Sequence, residues 1–84
     1  MVYILLLKPR VRKELDHLDN SARIKMNAVL NILSKDPFSG KKLEGELKGK
    51  YSIRAWPYRI VYQILKNELI VLVVDIGHRQ GVYR

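Results

Sequence analysis

The sequence predicts an α+β fold: two N-terminal helices packed on one face of a mostly antiparallel four-stranded sheet, in the order β-α-α-β-β-β. Three observations carry that prediction. Apolar residues recur with helical spacing between Pro9 and Ser34, and they alternate with a period of two beyond Gly49. The 84 residues, 48 % of them hydrophobic, supply one modest core and no second one. A chain of this length hides only about 60–65 % of the surface its extended form exposes, so residues 1–84 read as a single domain.

Residues 1–7 (MVYILLL) are apolar and rich in strand formers, and Pro9 ends the strand because it disfavours further regular pairing while suiting a first helical turn. A helix from Pro9 to about Leu18 places Val11, Leu15 and Leu18 at i, i+4 and i+7. The cluster Asp19-Asn20-Ser21 breaks and caps the chain. Ala22 to about Ser34 then carries Ala22, Met26, Val29 and Leu33 on one face, widened by Leu30, with Ile24, Ala28 and Ile32 beside it. Asp36-Pro37 stops this helix, which predicts an antiparallel helical hairpin on the sheet. Residues 36–47, with Pro37, Gly40, Gly45 and the pair Lys41-Lys42, read as a structured loop with a short helical piece around Leu43, Glu44 and Leu47.

Two strands follow. Tyr51, Ile53 and Ala55 alternate with Ser52, Arg54 and Trp56 up to Pro57, and Tyr58, Ile60, Tyr62 and Ile64 alternate with Arg59, Val61, Gln63 and Leu65. Lys66-Asn67-Glu68 suits a hairpin connection, and residues 69–76 (LIVLVVDI) form a nearly continuous apolar run of the kind found in central strands, ending at Gly77. The terminal HRQGVYR has room for a short edge strand or a loop. A helical hairpin covers one side of such a sheet, so the other is left for solvent, a partner or a site.

Sixteen Lys/Arg stand against eight Asp/Glu, a formal charge of +8, and the excess leans to the sheet-forming half: seven against four in residues 1–40, nine against four in 41–84. So strong a positive field favours nucleic acid, an acidic protein or an anionic surface as partner. The absence of cysteine excludes disulfides and thiolate chemistry, and with His17 and His78 as the sole imidazoles no metal site is expected. No apolar run approaches the about 20 residues of a membrane span, and a cytoplasmic location is expected.

Arg54 lies on the strand that ends before Pro57, Arg59 is the second residue of the next, and Arg79 follows the last long strand. In an antiparallel meander the first two lie near one hairpin end, and alternation points Arg59 away from the core set onto the exposed face. Arginine offers a rigid fork of donors matched to phosphate, so three converging would make a phosphate-binding surface. Taken singly, each arginine is equally an exposed strand residue. Tyr62 belongs with the core and Tyr83 reads as a terminal aromatic; His78 suits an acid, a base or a turn residue, and Trp56 a lid or a platform for stacking on bases. Asp75, Glu44 and Glu46 can orient basic side chains. No Gly-rich phosphate loop, nucleophile elbow or HExxH pair is present. The residues by themselves lead to a small basic binder of nucleic acid or of an acidic protein.

The ordered set Leu47-Lys48-Gly49, Tyr58-Arg59-Ile60-Val61-Tyr62 and Gly77-His78-Arg79 with Val82-Tyr83 resembles the RelE/ParE superfamily of toxin–antitoxin toxins, and within it the RelE-type messenger-RNA interferases. The resemblance implies a toxin of a type II system. It would cleave message in the ribosomal A site by metal-independent attack of the 2′-hydroxyl, be neutralised by a cognate RelB-like antitoxin, and need no cofactor and no membrane. It also implies roles: Arg59 and Arg79 at the scissile phosphate, Tyr83 at the reacting ribose, and Arg54 as the second basic residue of a lysine-x-lysine pair. Ser52 stands where the first lysine of that pair would be. Lys48, Lys50, Ser52, Trp56 and His78 would then line the path of the message, with Lys50, His78, Tyr83 or ribosomal groups open as the base, since arginine is a poor one. The alternatives are a ParE-like gyrase poison, which lacks the Arg/Tyr set, and a basic RNA- or antitoxin-binding protein without catalysis.

Overall fold

The computed structural model describes residues 2–78. Its strands are β1 (Ile4–Leu7), β2 (Lys41–Lys42), β3 (Tyr51–Ala55), β4 (Tyr58–Leu65) and β5 (Ile70–His78), and its helices α1 (Pro9–His17) and α2 (Asn20–Lys35). They form one sheet in the order β1-β5-β4-β3-β2. The β2–β3, β3–β4 and β4–β5 pairs are antiparallel, and β1 lies parallel to β5.

The sheet therefore has five strands where four were expected. The added strand is β2, a two-residue element in the segment read as a loop, and a pair of lysines is too short to show a period. A 3-10 turn at Gly45–Leu47 matches the short helical piece expected there. The apolar run read as a strand from residue 69 begins one residue later. Leu69 takes a left-handed conformation (φ 56°), closing the hairpin after the turn Lys66–Glu68.

Pro9 occupies the first turn of α1, which buries Val11 and Leu15 and half-buries Leu18. The carboxylate of Asp19 caps α2 by accepting from the Ala22 backbone N–H at 2.8 Å. Met26, Leu30 and Leu33 of α2 are buried, whereas Ile24 (65 % exposed) and Ile32 (51 %) face outward. Asp19→Ala is expected to lower stability by about 1 kcal/mol, the usual worth of such a cap, measurable as a shift in the urea midpoint without a change in slope.

Both helices pack on one side of the sheet. Val11, Leu15, Met26, Leu30 and Leu33 meet Ala55, Ile60, Tyr62, Val71, Val73 and Ile76 in a single core. Register keeps these sheet residues together: Ile53, Ile60 and Ile76 lie in one cross-strand row and Tyr51, Tyr62 and Val73 in the next. A bulge between Val61 and Tyr62 passes over Val74 of β5 and keeps the two strands in phase. The remaining positions, including Ser52, Arg54, Arg59, Val61 and Asp75, fall on the side away from the helices.

Candidate functional site

Arg54 and Arg59 are direct cross-strand partners on that open side. Two like charges placed opposite each other destabilise a strand pair, and alternation by itself does not require them to be arginines. Neither guanidinium meets a carboxylate among the described residues. Asp75, the acid on the same side, is held by Arg10 at 3.0 Å. On the far side of Arg59 the register partner is Gly77, which brings no side chain. The arrangement is a pair of guanidinium forks with no acidic partner among the described residues, able to meet an anion.

These arginines line a hollow of about 220 Å³ together with Ser39, Gly40, Lys41, Ser52 and Ile53. Ser52 (3 % exposed) and its cross-strand partner Val61 (1 %) are buried at this spot, while Arg54 and Lys41 are exposed and Arg59 is half-buried, so the charges are presented to solvent above a packed stretch of sheet.

The wall formed by residues 37–41 is fixed from below. Tyr62 on β4 is fully buried and its phenol donates to the Pro37 carbonyl at 2.7 Å. Its ring stacks on Tyr51 with centroids 5.6 Å apart, and Tyr51 meets Phe38 edge-on at 6.2 Å. Burial pushes the Tyr62 phenol up to about 12, against the smaller opposing effect of the Gly40 backbone, which favours the phenolate. The consequence for stability has a definite sign. Below pH 10 both folded and unfolded chains hold the proton; between about 10 and 12 only the folded chain does, so stability falls as pH rises through that window. Comparing urea unfolding of wild type and Tyr62→Phe is expected to show a fall on the order of 2 kcal/mol that the variant lacks. At neutral pH the variant is expected to lose about 1–2 kcal/mol through the unpaired Pro37 carbonyl.

The other residues singled out by sequence go to different places. Lys48 and Lys50 line a separate hollow of about 460 Å³ with Lys42, Glu44, Tyr51, Ile64 and Lys66, and it shares no residue with the arginine hollow. Trp56 (54 % exposed) lies in the turn between β3 and β4, beside the start of α2, where its carbonyl accepts from Lys25 Nζ at 2.8 Å. His78 ends β5 with its backbone in register with Tyr58. Arg79 and Tyr83 lie outside the described residues. Two wall residues, Gly40 and Lys41, went unassigned in the sequence reading: their only signal there is a glycine and a lysine pair in a presumed loop.

A family model described as the ParE toxin of type II toxin–antitoxin systems, parDE, matches residues 5–83. Toxin RelG of Mycobacterium tuberculosis is 38 % identical over 53 residues, which are 62 % of this chain and 61 % of RelG. The mRNA interferase toxin RelE of Escherichia coli is 29 % identical over 82 residues, 95 % of this chain and 86 % of its own. Among solved structures, the RelBE2 toxin–antitoxin complex of M. tuberculosis superimposes with a TM-score of 0.86 at 27 % identity, covering 94 % of this chain and 93 % of the other. The intact E. coli RelBE complex gives 0.78 at 29 % identity, covering 90 % and 95 %.

Proposed function

The chain belongs to the ParE toxin family of type II toxin–antitoxin systems, and from that premise we propose that it is an endoribonuclease cutting messenger RNA in the ribosomal A site. The observation that carries the proposal is the cross-strand pair Arg54 and Arg59, open to an anion and unmatched by any carboxylate among the described residues. The alternative, a ParE-like gyrase poison, is distinguished by lacking the Arg/Tyr set to which Arg59 belongs by resemblance.

In the proposed step the 2′-oxygen of a ribose attacks the adjacent phosphorus while the bond to the 5′-oxygen breaks. The products are a 2′,3′-cyclic phosphate and a 5′-hydroxyl, so the proton lost by one oxygen is regained by the other. Charge builds on the equatorial oxygens of the phosphorane-like transition state. Arg59 and Arg54 meet that charge in a setting already oriented for it, which costs no reorganisation at the moment of reaction. By the family resemblance Arg79 shares the clamp on the phosphate with Arg59, and Tyr83 serves the reacting ribose. Lys48 and Lys50, off the hollow, add only to the positive field that draws RNA in.

The protein is read as cytoplasmic and as the target of a RelB-like antitoxin. Ile24 and Ile32 on the outer side of α2, with Ile4 (59 % exposed) and Leu6 (45 %) on β1, offer apolar area for such a chain, and the net charge calls for acidic residues on it. Induced expression of the chain alone is expected to arrest growth and leave ribosome-bound message with 5′-hydroxyl ends, and co-expression of the neighbouring small gene to relieve both. Normal growth with soluble, folded protein in the cell would overturn the proposal.

A further inference from the structure

We propose that Lys41, on the two-residue strand β2, is a catalytic residue of this site whose ammonium stabilises the departing 5′-oxygen; the inference rests on the nuclease reading above. Register puts it there. Lys41 pairs with Ser52 and Lys42 with Tyr51, so adjacent lysines on β2 go to opposite sides of the sheet. Tyr51 belongs to the helix side, which sends Lys42 to the larger hollow, while Lys41 lines the small one with Ser52, Arg54 and Arg59.

Ser52 makes the approach possible. Its short side chain, opposite Lys41, leaves the lysine stem free to lie across β3 toward Arg54, a diagonal of about 7–8 Å between such positions. Lys41 meets no carboxylate among the described residues. Its backbone is held firmly for so short a strand. A Cβ on Gly40 would collide with the Tyr62 hydroxyl and come within 2.7 Å of the Ser52 carbonyl, so the residue that leads into β2 lies against β3 and the Tyr62 side chain as closely as glycine permits. Tyr62 locks the preceding turn through Pro37.

The chemistry separates Lys41 from its neighbours. Two planar forks suit the equatorial oxygens, which lie in a plane and carry spread charge. A leaving oxygen at the apex carries localised charge, and a compact ammonium with three rotatable donors suits it better than a rigid fork. In the step Lys41 donates a hydrogen bond to the 5′-oxygen as its bond to phosphorus breaks and remains protonated; the proton from the 2′-hydroxyl reaches the 5′-oxygen through water.

Message cleavage in a translation extract tests this with wild type, Lys41→Met, Lys41→Arg, Lys42→Met and Arg59→Ala. K41M is expected to cut about 10²-fold more slowly at saturating message, at the low end of the range seen when one donor to a developing oxyanion is removed. K41R keeps the charge but replaces the compact ammonium with a fork and is expected to recover part of that loss, and K42M, which removes the same charge from the other side of the strand, to cut at the wild-type rate. A message carrying sulfur in place of the 5′-oxygen at the cut site has a leaving group that needs little help, so it is expected to restore K41M but not R59A. If R59A is inactive while K41M cuts within about threefold of wild type, if K41M and K42M lose activity equally, or if the sulfur substrate leaves K41M slow, the role of Lys41 is overturned and the nuclease reading stands. If wild type itself leaves message uncut, the nuclease reading falls and Lys41 falls with it.

Discussion

Arg59→Ala is expected to lower the rate of message cleavage by about 10²–10³-fold or more while leaving the folded protein intact, because it removes a donor from the transition state rather than an atom from the core. Arg59 is half-buried on the open side of β4, outside the helix-packed core. Its removal also relieves a like-charge contact with Arg54. Stability is thus expected to stay level or rise slightly while activity collapses, and that opposition distinguishes a site residue from a structural one. Arg59→Lys keeps the charge but loses the fork, and is expected to fall between the two. Rates in a translation extract and a urea titration on the same preparations check both halves; parallel loss of activity and stability would point to a folding role.

Gly40→Ala is expected to act in the reverse manner, abolishing activity by way of the fold. The added methyl group collides with the Tyr62 hydroxyl and sits 2.7 Å from the Ser52 carbonyl. Tyr62 has little freedom to retreat, since it is fully buried, stacked on Tyr51 and bonded to Pro37. Overpacking of this kind costs about 1–3 kcal/mol, and at about 4–8 °C per kcal/mol in a domain this small it is expected to lower Tm by roughly 5–20 °C. The cheaper escape is for β2 to lift away from β3, which moves Lys41 out of the hollow. Gly40→Ala/Tyr62→Phe removes one of the two collisions and is expected to recover part of the lost Tm. An unchanged Tm in the single variant would show that β2 yields freely.

The helices were legible because their signals are local and redundant. Pro9, the Asp19 cap and the Met26, Leu30 and Leu33 stripe each point to the same boundaries and the same buried face. The alternation around Tyr58, Ile60 and Tyr62 likewise marked the packed side of β4, and by subtraction the open side where Arg59 stands. What sequence could not show depends on pairing at a distance. The parallel union of β1 with β5 joins segments 66 residues apart, as in Ile4 with Ile70. Strand β2 is two residues long and exists only because β3 offers an edge, so its lysines looked like loop residues and the opposite destinations of Lys41 and Lys42 were hidden. Burial of Ser52 was hidden for the same reason. Proximity in sequence also misled: Lys48 and Lys50 lie within six residues of Arg54 yet open on a different hollow.

The position of β1 bears on when during its own synthesis the chain can act. Among the described residues β1 has one sheet neighbour, β5, the last described strand, and β4 likewise depends on β5 for its longest pairing. Closing so long a loop is entropically costly, and the contacts that repay it come only at the end. A growing chain that has emerged through α2 has two amphipathic helices and an unpaired apolar strand but no sheet to carry Arg54 and Arg59. The surface that carries Arg54 and Arg59 is therefore completed only when β5 joins β1 and β4, after every other described element has been made.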